Sequence, residues 1–415
     1  MHGLATETGP SAYAGLNFTR VTSGVTPSNT SVTTIEAKST RCPRTKGRGK
    51  ENVMKFGTFH IIQWHESKTQ AQSIKEALEQ IELADDLGFD AAWVGEHHFS
   101  RHGLVSGIFP LLGSLAARTK RIKIGSAVVV LPFHNPILVA QEAATVDILS
   151  DGRLLLGIGS GYQRQEFEGL GLDVEEARDR FREYLDVIIE AWSGRPEDKM
   201  SYHGRFVDVE ELWTMPKPAQ KPHPPLYIAV STSPETVDFA ASKNLQIIVG
   251  GPTAVMGQAP DVVKLWHTKM EEHGHRHDHL DPPVSIGVYV APTMEEAEQD
   301  PQGLDDFSTK ILAQIGSPIG KDGRAPKGYE HWASRQRDRQ MASEAARTGG
   351  MPKLYGTPEV VAERLEVVRG MGINHIISNF GFPGLPHEKT MRSLELFATR
   401  VMPHFKDVPA GATAG

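Results

Sequence analysis

The feature that most constrains this chain is a regular alternation of short β-rich runs with amphipathic helical patterns, which begins at Met54 and continues almost to the C-terminus. The first helical pattern places apolar residues on one stripe from Ile74 to Leu87, and Gly88 ends it. A strand-like run, Ala91–Val94, follows at once. Such alternation is typical of parallel β/α architecture, because a helix must carry the chain back between parallel strands.

Close to eight strand-like runs are found in this way. They are Met54–Phe59, Ala91–Val94, Ile122–Leu131, Leu154–Gly157, Leu226–Val230, Gln246–Val249, Ser285–Val290 and His375–Ser378. The third is a nearly continuous apolar run, which predicts a strand covered on both faces. About eight units in about 350 residues favour the α/β class and a (β/α)8 TIM barrel with insertions over a doubly wound sheet. Functional residues are then expected just after the strands.

Residues 1–53 differ from the rest of the chain. They are rich in Ser, Thr and Gly, lack periodicity and end in a basic stretch. This composition predicts a disordered N-terminal extension ahead of a barrel domain of residues 54–415. The extension is either a targeting leader or a start placed upstream of the native one, and the abrupt strand pattern at Met54 favours the second.

Residues 300–355 interrupt the alternation. They hold many Gln, Arg, Asp and Gly residues with little strand signal. We expect an insertion before the final β/α unit. It is either a mobile lid over the site or a plain surface excursion.

Charge and cysteine content exclude several classes of protein. The chain has 44 Lys and Arg against 51 Asp and Glu, a net charge of −7, which disfavours nucleic-acid and anionic-membrane partners. Cys42 is the single cysteine, so an intramolecular disulfide is excluded. Apolar runs stay short of the roughly 18 residues of a membrane span. We therefore expect a soluble, cytoplasmic protein.

Two adjacent histidines follow the second predicted strand in the sequence Glu96-His97-His98-Phe99. One histidine could act as a general acid or base, with its neighbour and Glu96 fixing its orientation. The alternative is a structural pair bonded to loop backbone. A metal site is disfavoured because a second ligand cluster with suitable spacing is lacking, and the tract His273–His279 is interpreted as an exposed turn.

Two further segments suggest ligand contact. Gly157–Gly161 holds three alternate glycines, which let the backbone approach a ligand closely, but it completes neither a phosphate-loop nor a dinucleotide motif. After the fifth strand, Ser233 has the pattern of a helix N-cap, Pro234 of the first helical residue, and Thr236 lies in the first turn. This arrangement is either a phosphate site at a helix N-terminus or ordinary capping.

Together these motifs resemble the bacterial luciferase-like family of flavin-dependent monooxygenases. The likeness covers residues 54–405. The matching stretches are Met54–Gly57, Trp93–Phe99, Gly125–Pro132, His134–Pro136, Asp147–Arg153, Gly157–Gly171, Tyr355–Glu359 and Val401–Pro403.

The resemblance implies a barrel that binds reduced FMN at its C-terminal face and oxidises a small organic substrate with O2 through a flavin 4a-hydroperoxide. It also implies a homodimer. Since the chain lacks an NAD(P)H fingerprint, a separate flavin reductase would supply the reduced FMN.

The resemblance also assigns site residues. His97 falls on the catalytic histidine, and the Ala127–Val128 peptide on a non-prolyl cis bond against the isoalloxazine. Ser233 and Thr236 fall on phosphate-contacting positions. Further cofactor contacts are expected from Ser160, Gly161 and Thr232.

Three positions depart from the luciferases themselves. Gly159 replaces a reactive cysteine, Ser160 an arginine that binds phosphate, and Thr232 a glutamate. Light emission is therefore not expected, and Arg164 could supply the missing charge. Two alternatives stay open: an F420-dependent oxidoreductase on the same fold, and a non-catalytic flavin-binding barrel, against which the histidine pair argues.

Overall fold

The alternation of strands and helices closes into a barrel of eight parallel strands. The computed structural model describes residues 53–231, 233–250, 257–304 and 351–406, and within 305–350 residues 307, 310, 311, 315, 317–320, 322–330 and 332. The described residues belong to one unit, Lys50–Gly415. The predicted N-terminal extension lies outside the described residues except for residue 53.

The described strands, in chain order, are β1 (Lys55–His60), β2 (Ala91–Val94), β3 (Lys123–Ser126), β4 (Val129–Val130), β5 (Leu154–Gly159), β6 (Met200–His203), β7 (Asp208–Leu212), β8 (Leu226–Val230), β9 (Gln246–Val249), β10 (Val284–Val290), β11 (Leu354–Gly356) and β12 (His375–Asn379). The barrel consists of β1, β2, β3, β5, β8, β9, β10 and β12. It closes where Lys55 pairs with His375, so the predicted strand count is confirmed.

The α-helices of the described residues, in chain order, are α1 (Gln70–Asp86), α2 (Ile108–Arg118), α3 (Pro136–Leu149), α4 (Arg164–Gly169), α5 (Ala177–Trp192), α6 (Pro234–Ser242), α7 (Ala259–Glu272), α8 (Met294–Gln299), α9 (Pro358–Gly370) and α10 (His387–Leu396). Their apolar faces and the outer faces of the strands share one large core. None of the helices in the described ranges is long and apolar enough to cross a membrane.

A tryptophan fills the inside of the barrel. Trp93 is fully buried, and its ring meets Tyr227 edge-on with centroids 5.1 Å apart. Gly125 on β3 leaves the space that this ring occupies, since a Cβ there would overlap the indole. The barrel is therefore a packed core and not a pore, and its ligand space lies at the strand ends.

The prediction of one continuous strand over Ile122–Leu131 is wrong, because the segment contains two short strands. The structure ends β3 at Ser126, places a cis peptide bond between Ala127 and Val128, and resumes pairing with β5 in β4. Between the two paired stretches the Ser126 hydroxyl donates to Gly157 O at 2.7 Å and accepts from Gly157 N at 3.0 Å. The Ser126 hydroxyl thus replaces the backbone hydrogen bonds between the strands at this point. The cis peptide bond that the resemblance implies is confirmed.

Three strands outside the barrel escaped the sequence analysis. β6 and β7 form an antiparallel hairpin that is mostly half-buried or exposed, so it carries little apolar alternation. β11 lies in the predicted insertion and pairs with the end of β10. Its three residues are too few to give a periodic signal.

Gly125→Ala should destabilise the protein by about 1–3 kcal/mol, because the added methyl group must displace the buried Trp93 ring. Urea denaturation of both proteins measures the difference. Gly113→Ala in α2 is the matched control, since its Cβ meets nothing within 4 Å and alanine favours a helix. Equal stability losses in the two variants would contradict this account of the barrel interior.

Candidate functional site

His97 lies at the mouth of the barrel, three residues beyond the end of β2. Its Nδ1 is 3.1 Å from Glu166 Oε1, and the Glu166 side chain is only 2% exposed. Glu166 also accepts from the backbone N–H of His98 at 2.9 Å. Because an ionised carboxylate only accepts, this contact keeps a proton on His97 Nδ1 and leaves Nε2 to exchange a proton with a ligand.

The loop after β5 supplies the groups that hold His97. Gln163 and Glu166 stand at the start of α4, and the Gln163 amide nitrogen is also 3.1 Å from His97 Nδ1. With the proton on Nδ1 pointing to the Glu166 carboxylate, the Gln163 amide nitrogen lies beside Nδ1 but does not hydrogen-bond to it, so Glu166 is the group that fixes the tautomer. The sequence analysis missed both residues, because they lie more than 60 positions from His97.

A second histidine supports the ring from the other side. His102 is buried, and its ring centroid is 4.5 Å from that of His97. Burial, together with the nearby His97, lowers the pKa of His102 to about 3, so this ring is neutral at physiological pH. Its Nδ1 is 3.0 Å from the Gln63 amide nitrogen.

Of the two adjacent histidines, Glu96 orients His98 and not His97. It accepts from His98 Nε2 at 2.9 Å, from His134 Nε2 at 2.7 Å and from Val130 N at 2.8 Å. Burial alone would raise the pKa of the Glu96 carboxyl, but these hydrogen bonds together lower it. In turn the Glu96 hydrogen bond raises the pKa of His98. Glu96 therefore ties the loop after β2 to the loop after β4.

Glycines flank the Ala127–Val128 peptide. A Cβ at Gly159 would lie 2.8 Å from Val128 Cγ2, and one at Gly95 would lie 3.2 Å from Ala127 O. Gly161 has a φ of +75°, which glycine adopts without strain. The backbone at Gly159 of β5 and at Gly95, just after β2, therefore lies close to this peptide because neither residue has a side chain.

A small open pocket lies beside the end of β5 and, together with the solvent at its mouth, encloses about 340 Å³. Ser160, Thr236 and the two arginines Arg178 and Arg182 of α5 line it. Ser233 caps α6 as predicted, since its hydroxyl accepts from Thr236 N at 3.4 Å. Hydroxyls, guanidinium groups and a helix N-terminus form a donor set that suits a phosphate.

The sequence analysis suggested that Arg164 supplies charge to this pocket, but its Nε points elsewhere. That nitrogen donates to Pro318 O at 3.0 Å, in a segment of the predicted insertion. Arg178 takes the position at the pocket, and the sequence analysis missed it. Thr232 lies outside the described residues.

The described part of the insertion packs over this pocket. Tyr329 donates to Gly161 O at 2.6 Å, and its oxygen is 3.2 Å from Ser160 Oγ. The Arg178 guanidinium lies over the Tyr329 ring, 5.1 Å from its centroid. Trp332 stacks on Tyr162 with centroids 5.5 Å apart. The Tyr329 contacts pack this aromatic side chain against Ser160 and Arg178, which line the pocket, and Trp332 covers Tyr162 in the loop after β5.

Among the residues that the structure describes, no group of three or more His, Cys, Asp or Glu side chains is arranged to hold a metal ion. The donor set and the glycine-flanked peptide instead fit an elongated anionic cofactor with a planar ring system.

The barrel and this mouth define an oxidoreductase of the luciferase-like class. The family model described as luciferase-like monooxygenase matches residues 54–375. The chain belongs to that family.

Two relatives align over most of their length. One is the oxygenase component of a flavin-dependent trigonelline monooxygenase from Acinetobacter baylyi, 29% identical over 361 residues, which covers 85% of this chain and 96% of the relative. The other is a 4-hydroxyprotoasukamycin monooxygenase from Streptomyces nodosus subsp. asukaensis, 28% identical over 348 residues, which covers 82% and 90%.

Solved structures share the architecture. A crystal structure of monooxygenase RslO1 from Streptomyces bottropensis has a TM-score of 0.71 at 25% identity and covers 85% of this chain and all of that one. A coenzyme F420-dependent tetrahydromethanopterin reductase from Methanopyrus kandleri has a TM-score of 0.60 at 18% identity and covers 86% of this chain and 100% of that one. At that identity the likeness shows the fold alone.

Glu96→Gln should destabilise the protein by about 1–3 kcal/mol at pH 6, because one buried backbone donor and two half-buried histidines lose a charged acceptor. The pKa of His98 is raised, so its contribution is fully present below pH 6.5 and is lost as the pH rises through its folded value. We therefore expect the stability gap between the two proteins to narrow from pH 6 to pH 9 in urea denaturation. Glu168→Gln, at an exposed position of α4, is the control. A gap that does not change with pH would contradict this role of His98.

Proposed function

We propose that the protein is the oxygenase component of a two-component monooxygenase, with reduced FMN as cofactor and O2 as co-substrate. The observation that carries the proposal is the fixed His97–Glu166 pair at a barrel mouth that also holds a cationic pocket suited to phosphate. The named monooxygenases among its relatives support it. A separate reductase would supply the reduced flavin, as for an oxygenase component.

The cofactor would lie across the mouth of the barrel. Arg178, Ser160 and Thr236 would hold the phosphate, with Ser233 presenting the N-terminus of α6 and Thr232 beside it. The ring system would lie against the Ala127–Val128 peptide, near Gly161. These assignments follow from the donor set and from the space left by the glycines.

Bound reduced FMN supplies the electrons that activate O2 for transfer of one oxygen atom to the substrate. His97 gives up or takes a proton at Nε2, close to where that chemistry would occur. Glu166 stabilises the imidazolium that forms when His97 is protonated, and holds the ring in one orientation. Tyr329, which contacts Ser160 and Arg178, would exclude water from the phosphate end.

Assembly into a homodimer is also proposed. Helix α3 leaves three apolar side chains, Leu138, Ile148 and Leu149, between 44% and 60% exposed. Burial of such a patch against a second copy would stabilise a dimer. Sedimentation velocity measures the mass directly, and a monomer at micromolar concentration would refute the assembly.

His97→Ala should lower substrate oxidation by about 100-fold or more, because the proton-transfer group is lost. The affinity for FMN should stay within about threefold of wild type, since the phosphate pocket is untouched. Stopped-flow assays with reduced FMN and flavin-binding titrations measure the two quantities. His203→Ala, at an exposed site on β6, controls for surface effects. Intact turnover in His97→Ala would overturn the catalytic assignment.

Arg178→Ala should weaken FMN binding by about tenfold or more and leave riboflavin binding nearly unchanged, because only FMN carries the phosphate. Anaerobic fluorescence titrations with both flavins, in parallel with reduced F420, measure this. Arg164→Ala is the matched control and should retain the preference for FMN, since its Nε contacts Pro318. If Arg164→Ala lost the preference for FMN and Arg178→Ala kept it, the assignment of Arg178 as the phosphate-binding residue would be refuted. Tight binding of F420 but not of FMN would favour the F420-dependent alternative.

A further inference from the structure

The histidine-rich segment His273–His279 has no part in the proposed function, and the structure turns it back onto helix α7. Gly274 follows that helix with a φ of +75°, which glycine adopts without strain. Its N–H donates to Glu271 O at 2.9 Å, and the N–H of His275 donates to Met270 O at 2.9 Å. These bonds close the end of the helix, and the chain reverses at Gly274.

His277 is the member of this segment that returns to the helix. Its side chain is only 16% exposed, and its Nδ1 is 2.8 Å from the Nδ1 of His267, which is half-buried on α7. Its other ring nitrogen, Nε2, is 3.3 Å from Glu271 Oε1. His267 and Glu271 are four residues apart and share one face of the helix, so the His277 ring contacts both.

These contacts determine how the His277 ring can bind a ligand. An ionised carboxylate only accepts, so the Nε2 that faces Glu271 carries a proton, and the neutral ring then has its lone pair on Nδ1. One proton lies between this Nδ1 and the Nδ1 of His267, because two lone pairs at 2.8 Å would repel each other. A metal ion that replaces this proton would meet two imidazole nitrogens from two different segments.

The distance between the two nitrogens is suitable for such an exchange. Two nitrogens bound to one ion at about 2.0–2.1 Å lie about 2.8–3.4 Å apart, for coordination angles between a right angle and the tetrahedral angle. The observed 2.8 Å is at the short end of this range, so a small rotation of the rings would bring both lone pairs onto one ion. A carboxylate on the far nitrogen of a metal-bound histidine fixes the ring and raises its basicity, and Glu271 has that position.

We propose that His267 and His277 bind a divalent metal ion that prefers imidazole, such as Zn²⁺, Ni²⁺ or Cu²⁺, with Glu271 as the positioning residue of His277. Water would complete the coordination, since only two side chains are ligands. The segment leads into β10 at the N-terminal end of the barrel, the face opposite to His97. The ion therefore stabilises the connection between α7 and β10 and takes no part in oxidation, so the inference is independent of the proposed function.

Calorimetric titration of the metal-free full chain with ZnCl2 and NiCl2 tests the proposal, with MgCl2 as the ion that prefers oxygen ligands. His267→Gln and His277→Gln should each weaken Zn²⁺ binding by at least about tenfold, because one of the two ligands is lost. The controls are His273→Gln and His279→Gln, at exposed positions of the same segment, and their affinity should stay within about threefold of wild type.

The role of Glu271 is tested separately. Glu271→Gln should weaken Zn²⁺ binding by about tenfold, because the carboxylate that holds His277 is lost. Glu272→Gln is the matched control, since the neighbouring Glu272 is also exposed and pairs with Lys269 instead. Saturating ZnCl2 should also raise the Tm of the wild-type protein by about 3 °C or more, because only a site formed by folding stabilises the folded state. The Tm of His267→Gln should not rise.

Three results would each overturn the proposal. They are undetectable binding of Zn²⁺ and Ni²⁺, Zn²⁺ affinity that survives both His267→Gln and His277→Gln, and an equal loss of affinity in His279→Gln and His267→Gln. The last result would mean that the exposed segment binds the ion without the helix. FMN affinity should not change in any variant, since the site is remote from the barrel mouth. A protein that binds Zn²⁺ as expected but fails to bind FMN would refute only the proposed function.

Discussion

Two buried carboxylates hold the mouth of this barrel together. Glu166 accepts from His97 and from the His98 backbone, and Glu96 accepts from the His98 side chain, His134 and Val130. A carboxylate buried this deeply is stable only when several donors surround it, so each glutamate requires the loops of neighbouring strands to take up one arrangement. Glu166 orients His97 because one oxygen of its buried carboxylate lies within hydrogen-bond distance of both the His97 ring and the His98 backbone N–H.

The barrel interior supports this arrangement from below. Trp93, one residue before the end of β2, occupies the space that Gly125 leaves on β3. The large ring fixes β2 against its neighbour, and the segment that carries Glu96 and His97 begins two residues later. Because the interior is densely packed, the contact between Trp93 and Gly125 fixes the position of β2 and therefore of the site residues that follow it.

The sequence predicted those parts of the molecule that leave a local pattern. Strand and helix alternation identified the barrel, and the position of His97 after a strand identified a site residue. Glu166, Arg178 and His102 left no such pattern, because each acts through a contact with a residue that folding brings close. The interruption after Ser126 was missed for a related reason, since apolar composition cannot distinguish a continuous strand from a broken one.

The histidines of this face differ in charge because their neighbours differ. Burial without a carboxylate keeps His60 and His102 neutral, whereas the carboxylate of Glu96 favours the protonated form of His98. His97 lies between the two environments, with Glu166 on Nδ1 and the neutral His102 ring against its face. These two contacts fix the His97 ring in one orientation and leave its Nε2 toward the barrel mouth.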